Sequence, residues 1–172
     1  MTLTRIALLA ALVLPSLGCS SSKDFSVPRE FEPLETITER PNYVLPETAI
    51  TTIGTSAYVV NLDEWLGRYP PGSVEFVAVM RHEQTHSQRQ LAAGTLGWVA
   101  HYVVDADFMW TEERIGWYYE LITLRDNGRT INVDAVATIL SHYKNATNSR
   151  MVGFVEAKMW VQSVLSGQWK PQ

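Results

Sequence analysis

The residues whose types and spacing point most directly to chemistry are His82, Glu83 and His86, which form a His-Glu-x-x-His pattern. On a helix, residues four positions apart share one face, so both imidazoles can direct a nitrogen at one metal ion. Glu83 lies one position round the helix, where its carboxylate can reach a metal-bound water without being a ligand. With zinc, that water would have a pKa of about 7, and Glu83 would pass its proton to a leaving amine. The pattern therefore predicts zinc-assisted hydrolysis of a peptide or amide bond.

A catalytic zinc needs a third protein ligand and an open fourth position. A metzincin would supply a third histidine soon after His86, but Ala92 stands at that position. The alternative is a glutamate from a later helix, and Glu113 is our choice. Gly116, three residues further on, would let that helix pack closely against the histidine helix.

Three other residues stay open as alternative ligands. Glu112 and Glu120 flank Glu113 on the same predicted helix. If Glu113 is the ligand, we expect Glu112 to lie on a solvated helix face. Glu120 would then accept a hydrogen bond from a ligand histidine and orient it. His101 could replace a ligand, although its apolar surroundings favour a hydrogen-bonded core histidine.

Peptide hydrolysis also needs a hydrogen-bond donor that stabilises the oxyanion. The candidates are donor side chains that follow Glu113: Tyr118, Tyr119, His142 and Tyr143. Sequence does not distinguish among them, because each of them also fits a packed or surface position.

The segments around the motif predict a single α+β domain that is mostly helical, with a small N-terminal β-sheet or hairpin. Residues 48–60 predict two short strands joined by a tight turn, and Tyr58 to Val60 would be the edge that aligns an extended substrate. Ser73 is expected to cap the motif helix, and Thr111 to begin the helix that carries Glu113. Further helices are predicted over residues 95–104, 133–143 and 151–165.

The chain from Ala49 to Gly116 resembles the gluzincin branch of the zincin-like metallopeptidases, in particular small bacterial and phage members. The resemblance is carried by Ile50-Thr51-Thr52-Ile53-Gly54 with Tyr58-Val59-Val60, by Arg81-His82-Glu83-Gln84-Thr85-His86 with Gln88-Arg89-Gln90, and by Glu113-Arg114-Ile115-Gly116. In that family a glutamate followed by a small residue supplies the third zinc ligand from a later helix. The resemblance therefore implies a zincin-like domain with Glu113 as that ligand.

The N-terminal region predicts export. Residues 1–18 have a positive start, a short apolar run and small residues at the end, as in a signal peptide. Cys19, the single cysteine, follows Leu-Gly in a sequence that resembles a lipobox, so we expect it to be acylated. Residues 19–42, rich in Ser, Glu and Pro, would be a lipid-anchored flexible tether, and residues 43–172 the metallopeptidase domain. The sequence thus predicts a membrane-anchored lipoprotein of the bacterial cell envelope, or alternatively a secreted protein.

Composition limits the partners. The 172 residues carry a net charge of -4 with no Lys/Arg-rich block, so we exclude nucleic-acid binding and expect a peptide or an envelope protein as substrate. The alternative function is a catalytically silent, zinc-stabilised binding module at the cell surface. Glu83 favours the enzyme, because a structural zinc site does not need a carboxylate beside its ligand.

Overall fold

The computed structural model describes residues 23–40 and 49–172. Within these ranges the chain forms a small four-stranded sheet followed by six helices, which confirms the predicted α+β, mostly helical class. The elements are β1 (Asp24–Ser26), β2 (Thr36–Glu39), β3 (Thr51–Ile53), β4 (Ser56–Val59), α1 (Leu62–Arg68), α2 (Val74–Ala93), α3 (Thr95–Val104), α4 (Ala106–Asp126), α5 (Val133–His142) and α6 (Phe154–Leu165). None of the helices in the described ranges combines the length and apolarity needed to cross a membrane. The predicted signal peptide and Cys19 lie outside these ranges.

The sheet has the strand order β1-β2-β4-β3. The hairpin of β3 and β4 was predicted correctly, and Gly54 adopts a φ of 62° in its tight turn, a conformation that glycine accepts without strain. The prediction that Tyr58 to Val60 forms an edge was wrong. Because β2 pairs in parallel with β4, the strand that contains Tyr58 is internal, and β3 is the edge strand beside it.

The prediction of a flexible tether over residues 19–42 was wrong for residues 23–40. These residues supply β1 and β2 and bury Phe31, Leu34 and Ile37. A short 3₁₀ turn, Arg29–Phe31, separates the two strands, with Pro28 directly before it. The irregular spacing of the apolar residues hid the strands, because the turn interrupts the alternation that identifies a strand in sequence.

Two hydrophobic clusters make up the core. The first lies between the sheet, α1 and the start of α2, and its buried residues are Val27, Phe31, Leu34, Ile37, Ala57, Val59, Leu62, Trp65, Phe76 and Met80. The second lies among the helices that follow, and its buried residues are Met109, Trp110, Trp117, Leu121, Ala137, Leu140, Met151, Val152, Ala157, Trp160, Val161 and Val164. Since α2 belongs to the first cluster and α4 to the second, the contact between these two helices joins both halves of the core.

Local capping explains where α2 and α4 begin. Ser73 Oγ accepts a hydrogen bond from the backbone N–H of Phe76 at 3.1 Å, as predicted for the N-cap of α2. The prediction that Thr111 begins α4 was wrong, because Asp105, six residues earlier, caps the helix and accepts from the N–H of Phe108 at 3.0 Å. Thr111 is therefore inside α4, where its hydroxyl bonds to the helix backbone.

The other helix predictions differ from the structure only at their ends. α3 has the predicted bounds, and α5 ends one residue earlier than predicted, at His142. α6 begins at Phe154, not at Met151, because Gly153 before it has an extended backbone.

A buried ion pair ties α2 to α4 near the end of the motif helix. Glu112 is 1% exposed, and its carboxylate accepts from both Nε and Nη2 of Arg89, the latter at 2.7 Å. The expectation that Glu112 lies on a solvated helix face was therefore wrong. The Arg89 side chain reaches across from the facing helix and compensates the charge that burial would otherwise make costly.

Replacing Arg89 with leucine is expected to lower the free energy of unfolding by about 1–3 kcal/mol, because the Glu112 carboxylate would stay buried without its partner. The Arg89 side chain is 41% exposed, and solvent screening keeps the effect below that of a fully buried pair. Denaturant unfolding measures the loss. Arg125→Leu is the matched control, since within residues 23–40 and 49–172 the ion-pair partner of Arg125 is its exposed neighbour Asp126. Equal losses in the two variants would contradict a stabilising role for the Arg89 pair.

Candidate metal centre

Helices α2 and α4 bring together three side chains that can bind a metal ion: His82, His86 and Glu113. All three are buried, with exposed fractions of 6%, 6% and 3%. The Nε2 atoms of the two histidines are 3.0 Å apart. Oε2 of Glu113 lies 3.6 Å from Nε2 of His82, and Oε1 lies 3.3 Å from Nε2 of His86. The predicted ligands thus converge on one point between the two helices.

The donor set fits a tetrahedral metal ion. Zinc bonds of about 2.0–2.1 Å place neighbouring ligand atoms about 3.3 Å apart. The two histidine nitrogens are 3.0 Å apart, and each of them has one oxygen of Glu113 near it, Oε1 at 3.3 Å from His86 and Oε2 at 3.6 Å from His82. Oε2 of Glu113 is also buried without a hydrogen-bond partner among the described residues. A buried carboxylate oxygen without a partner is costly, and a cation at this position would satisfy it.

The far nitrogen of His82 is held by Glu120. The Nδ1 atom lies 2.9 Å from Oε2 of Glu120, which agrees with the predicted role of Glu120 as an acceptor for a ligand histidine. An Nδ1–H donor leaves the lone pair of Nε2 free to bind a metal. Glu120 is therefore placed behind His82 and does not join the metal-binding group.

Close contact between α4 and His82 depends on Gly116. A Cβ atom built at Gly116 would lie 2.5 Å from Cδ2 of His82 and 2.6 Å from its Nε2, which is closer than any side chain permits. The predicted role of Gly116, to let the helix of Glu113 approach the histidine helix, is therefore confirmed.

Glu83 lies beside the ligands without joining them. It is 5% exposed, and its Oε2 accepts a hydrogen bond from Oγ1 of Thr52 at 2.7 Å. Thr52 belongs to the edge strand β3, which Gln90 of α2 fixes by donating from Nε2 to the Thr52 carbonyl at 2.8 Å. Burial raises the pKa of Glu83, although the charges of His82 and His86 act in the opposite direction. A carboxylate with a raised pKa is suited to accepting a proton and returning it.

Before a metal binds, the opposite charges of the ligand side chains stabilise one another. Burial acts to lower the pKa of His82, but the adjacent carboxylates of Glu113 and Glu120 raise it well above its ordinary value. Burial acts to raise the pKa of Glu113, but the adjacent imidazoles of His82 and His86 bring it far below its usual range. These shifts favour a protonated His82 opposite an ionised Glu113 in the site without metal.

Zinc affinity is expected to fall as the pH is lowered, because the metal must displace the proton on His82. Since the pKa of His82 is raised, the fall should begin above the ordinary histidine value of about 6.5. Competition with a chromophoric chelator over a series of pH values measures it. In Glu120→Gln one of the groups that raises this pKa loses its charge, so the fall should move to lower pH. An identical pH profile in both proteins, centred on the ordinary histidine value, would contradict this assignment.

Of the oxyanion candidates, Tyr143 lies within electrostatic reach of the site. Burial raises its pKa well above the ordinary value, and the charges of Glu113, Glu120 and Glu83 raise it further. Its hydroxyl therefore keeps its proton and can donate a hydrogen bond near these carboxylates.

The remaining candidates have other contacts. Tyr118 packs edge-on against Trp169 with ring centroids 5.7 Å apart, and Tyr119 is 39% exposed. His142 is exposed, and its Nδ1 donates to a carbonyl of its own helix. The expectation that His101 is a core histidine was wrong. Its side chain is exposed, stacks on Phe108, and does not belong to the metal-binding group.

Two aromatic side chains of α3 contact the ligands and were not predicted from the sequence. Tyr102 donates from its hydroxyl to Oε1 of Glu113 at 2.6 Å, and Trp98 lies edge-on to His86 with centroids 5.7 Å apart. The available signal was their spacing of four residues, which places both on one face of a helix that directly follows the motif helix. Burial and the charge of Glu113 raise the pKa of Tyr102 well above its ordinary value, so this hydroxyl stays protonated.

Comparison of the chain with protein-family models, with curated proteins and with solved structures finds no match in any of the three. The function is therefore inferred from the geometry of the site.

Proposed function

We propose that the protein is a zinc-dependent metallopeptidase in which His82, His86 and Glu113 hold zinc and Glu83 is the general base. One observation carries the proposal: the buried side chains of His82, His86 and Glu113 bring their ligand atoms within 4.8 Å of one another, with a second buried carboxylate, that of Glu83, beside them and outside the ligand set. Three ligands leave a tetrahedral ion with an open position, as a catalytic site requires. The neighbouring carboxylate is what hydrolysis needs in addition.

The metal and the side chains would have different roles in the hydrolysis. Zinc held in this site would act as a Lewis acid that polarises a carbonyl and lowers the pKa of a water molecule. Glu83 takes the proton from the attacking water and then delivers it to the leaving amine, and its raised pKa favours both transfers. Thr52 holds the carboxylate of Glu83 in one orientation by donating to Oε2.

Tyr143 is our candidate for stabilising the oxyanion. Burial and the charges of Glu113, Glu120 and Glu83 raise its pKa, so its hydroxyl keeps its proton and can serve as a hydrogen-bond donor. We choose Tyr143 among the four candidates because Tyr118 packs against Trp169, Tyr119 is exposed and His142 donates within its own helix.

The class and the location of the enzyme are part of the proposal. The ligand order, two histidines on one helix and a glutamate on a later helix, resembles that of the gluzincins. The signal-like residues 1–18 and the lipobox-like position of Cys19 support export and anchoring to the cell-envelope membrane. Substrates would then be peptides or envelope proteins.

A second candidate function is a zinc-stabilised binding module without catalytic activity. The near-complete burial of the ligands and of Glu83 favours it, because a substrate must be able to reach a catalytic metal. In such a module, the energy of metal binding would contribute to folding.

A cleavage assay separates the two functions. The protein is incubated with denatured casein and with a library of quenched fluorescent peptides. The metallopeptidase should cleave them, lose this activity with a zinc chelator and regain it when zinc is restored. Zinc binding that raises the unfolding temperature without any cleavage would instead support the binding module. Cleavage that persists after the metal has been removed would contradict both.

A further inference from the structure

The carboxylate of Glu113 is held asymmetrically. Its Oε1 accepts a hydrogen bond of 2.6 Å from the hydroxyl of Tyr102. Its Oε2 is buried and has no hydrogen-bond partner among the described residues. Oε1 also lies 3.3 Å from Nε2 of His86, but the hydrogen bond uses one of its lone pairs, whereas both lone pairs of Oε2 remain available for a metal.

The tyrosine that makes this bond is itself held in place. Its ring stacks on Trp98 with centroids 4.9 Å apart and an interplanar angle of 14°, and lies edge-on to His86 at 6.3 Å. Both aromatic residues belong to α3, which packs against α2 and α4 and so bridges the two helices that carry the ligands. Tyr102 is thus fixed relative to the histidines as well as to Glu113.

We propose that Tyr102 is a positioning residue that makes Glu113 a one-oxygen ligand and thereby keeps a coordination position open. A carboxylate with two free oxygens can bind a metal through both of them. The hydrogen bond from Tyr102 uses a lone pair of Oε1 and holds the carboxylate with Oε2 3.6 Å from Nε2 of His82, as groups behind metal ligands commonly do. Since a catalytic metal needs a free position, this inference rests on the proposed function and names the side chain that preserves it.

The test uses Tyr102→Phe in the full chain, which removes the hydroxyl and keeps the ring that stacks on Trp98. Tyr119→Phe is the matched control, because it removes the same group from an exposed position on α4. Zinc affinity is measured by competition with a chromophoric chelator. The visible absorption of the cobalt(II)-substituted protein reports the coordination number. Circular dichroism of both variants without metal checks that the fold is unchanged.

We expect Tyr102→Phe to bind zinc about 10- to 100-fold more weakly and to shift the cobalt spectrum towards a higher coordination number, while Tyr119→Phe matches the wild type. Unchanged affinity and spectrum in Tyr102→Phe would overturn the inference and leave the metal site intact. Weaker binding with an unchanged spectrum would overturn it too, because this result would show a packing effect only. A wild-type protein that binds no zinc would refute the proposed function itself.

Discussion

Glu83→Gln is expected to retain zinc and to lose peptide hydrolysis by a factor of about 100 to 10,000 in kcat, the usual contribution of a general base. Glutamine has nearly the same shape and can still accept the hydrogen bond that Thr52 donates at 2.7 Å. It cannot take up a proton from water. Because Glu83 is outside the metal-binding group, the ligands should be unaffected. The peptide cleavage assay and elemental analysis of the same preparation measure both properties.

A matched control for this variant is Glu64→Gln, which changes an exposed carboxylate on α1 in the same way. It should leave both zinc content and cleavage at the wild-type level. Wild-type activity in Glu83→Gln would remove Glu83 from the mechanism. Loss of zinc from that variant would instead show that Glu83 contributes to metal binding, contrary to the geometry of the site.

Gly116→Ala is expected to weaken zinc binding by disturbing His82 directly. The new methyl group would lie 2.5 Å from Cδ2 of His82, so the imidazole or the helix must move. Glu120 holds the same ring from its far side at 2.9 Å, which limits how far it can turn away. Overpacking of this kind costs about 1–3 kcal/mol. If that energy falls on the metal-bound geometry, zinc affinity should drop about 5- to 150-fold.

Gly97→Ala provides the comparison for this variant. Gly97 is also inside a helix, but a Cβ atom there would meet nothing within 4 Å. This change should keep zinc affinity and should stabilise α3 slightly, by about 0.5–1 kcal/mol, because alanine favours the helix more than glycine does. Chelator competition and thermal unfolding of the two variants measure the contrast. If Gly116→Ala binds zinc as tightly as Gly97→Ala does, the close approach of α4 is not needed for the site.

The parts of the site that could be predicted from sequence are those set by helical geometry. The four-residue spacing of His82 and His86 places both imidazoles on one face whatever surrounds them. Glu113 and Gly116 follow the same logic within α4. These relations are local, so a single helix is enough to define them.

Side-chain contacts between different helices and strands could not be predicted, because no spacing in the sequence encodes them. The bond from Tyr102 to Glu113 and the bond from Thr52 to Glu83 each depend on how two distant elements pack. The pairing of Glu112 with Arg89 was missed for the same reason, since a glutamate on a polar helix normally faces solvent. In each case the missing information was which helix or strand faces the residue.

The pairing of the strands could be predicted from sequence only where the strands are neighbours along the chain. The antiparallel hairpin of β3 and β4 was predicted because its strands are adjacent in sequence and joined by a glycine turn. The parallel pairing of β2 with β4 joins residues twenty positions apart, and its register leaves no local signal. This pairing makes β4 internal and leaves β3, with Thr52 beside Glu83, at the edge next to the site.

The metal content of the purified protein tests the central claim most directly. Elemental analysis would compare the wild type with His86→Ala and Glu113→Ala, and with His101→Ala as a control on an exposed histidine outside the site. We predict close to one zinc ion per chain in the wild type and in His101→Ala, and loss of zinc from both ligand variants. A wild-type protein without zinc, or ligand variants that retain it, would contradict the proposed metal centre.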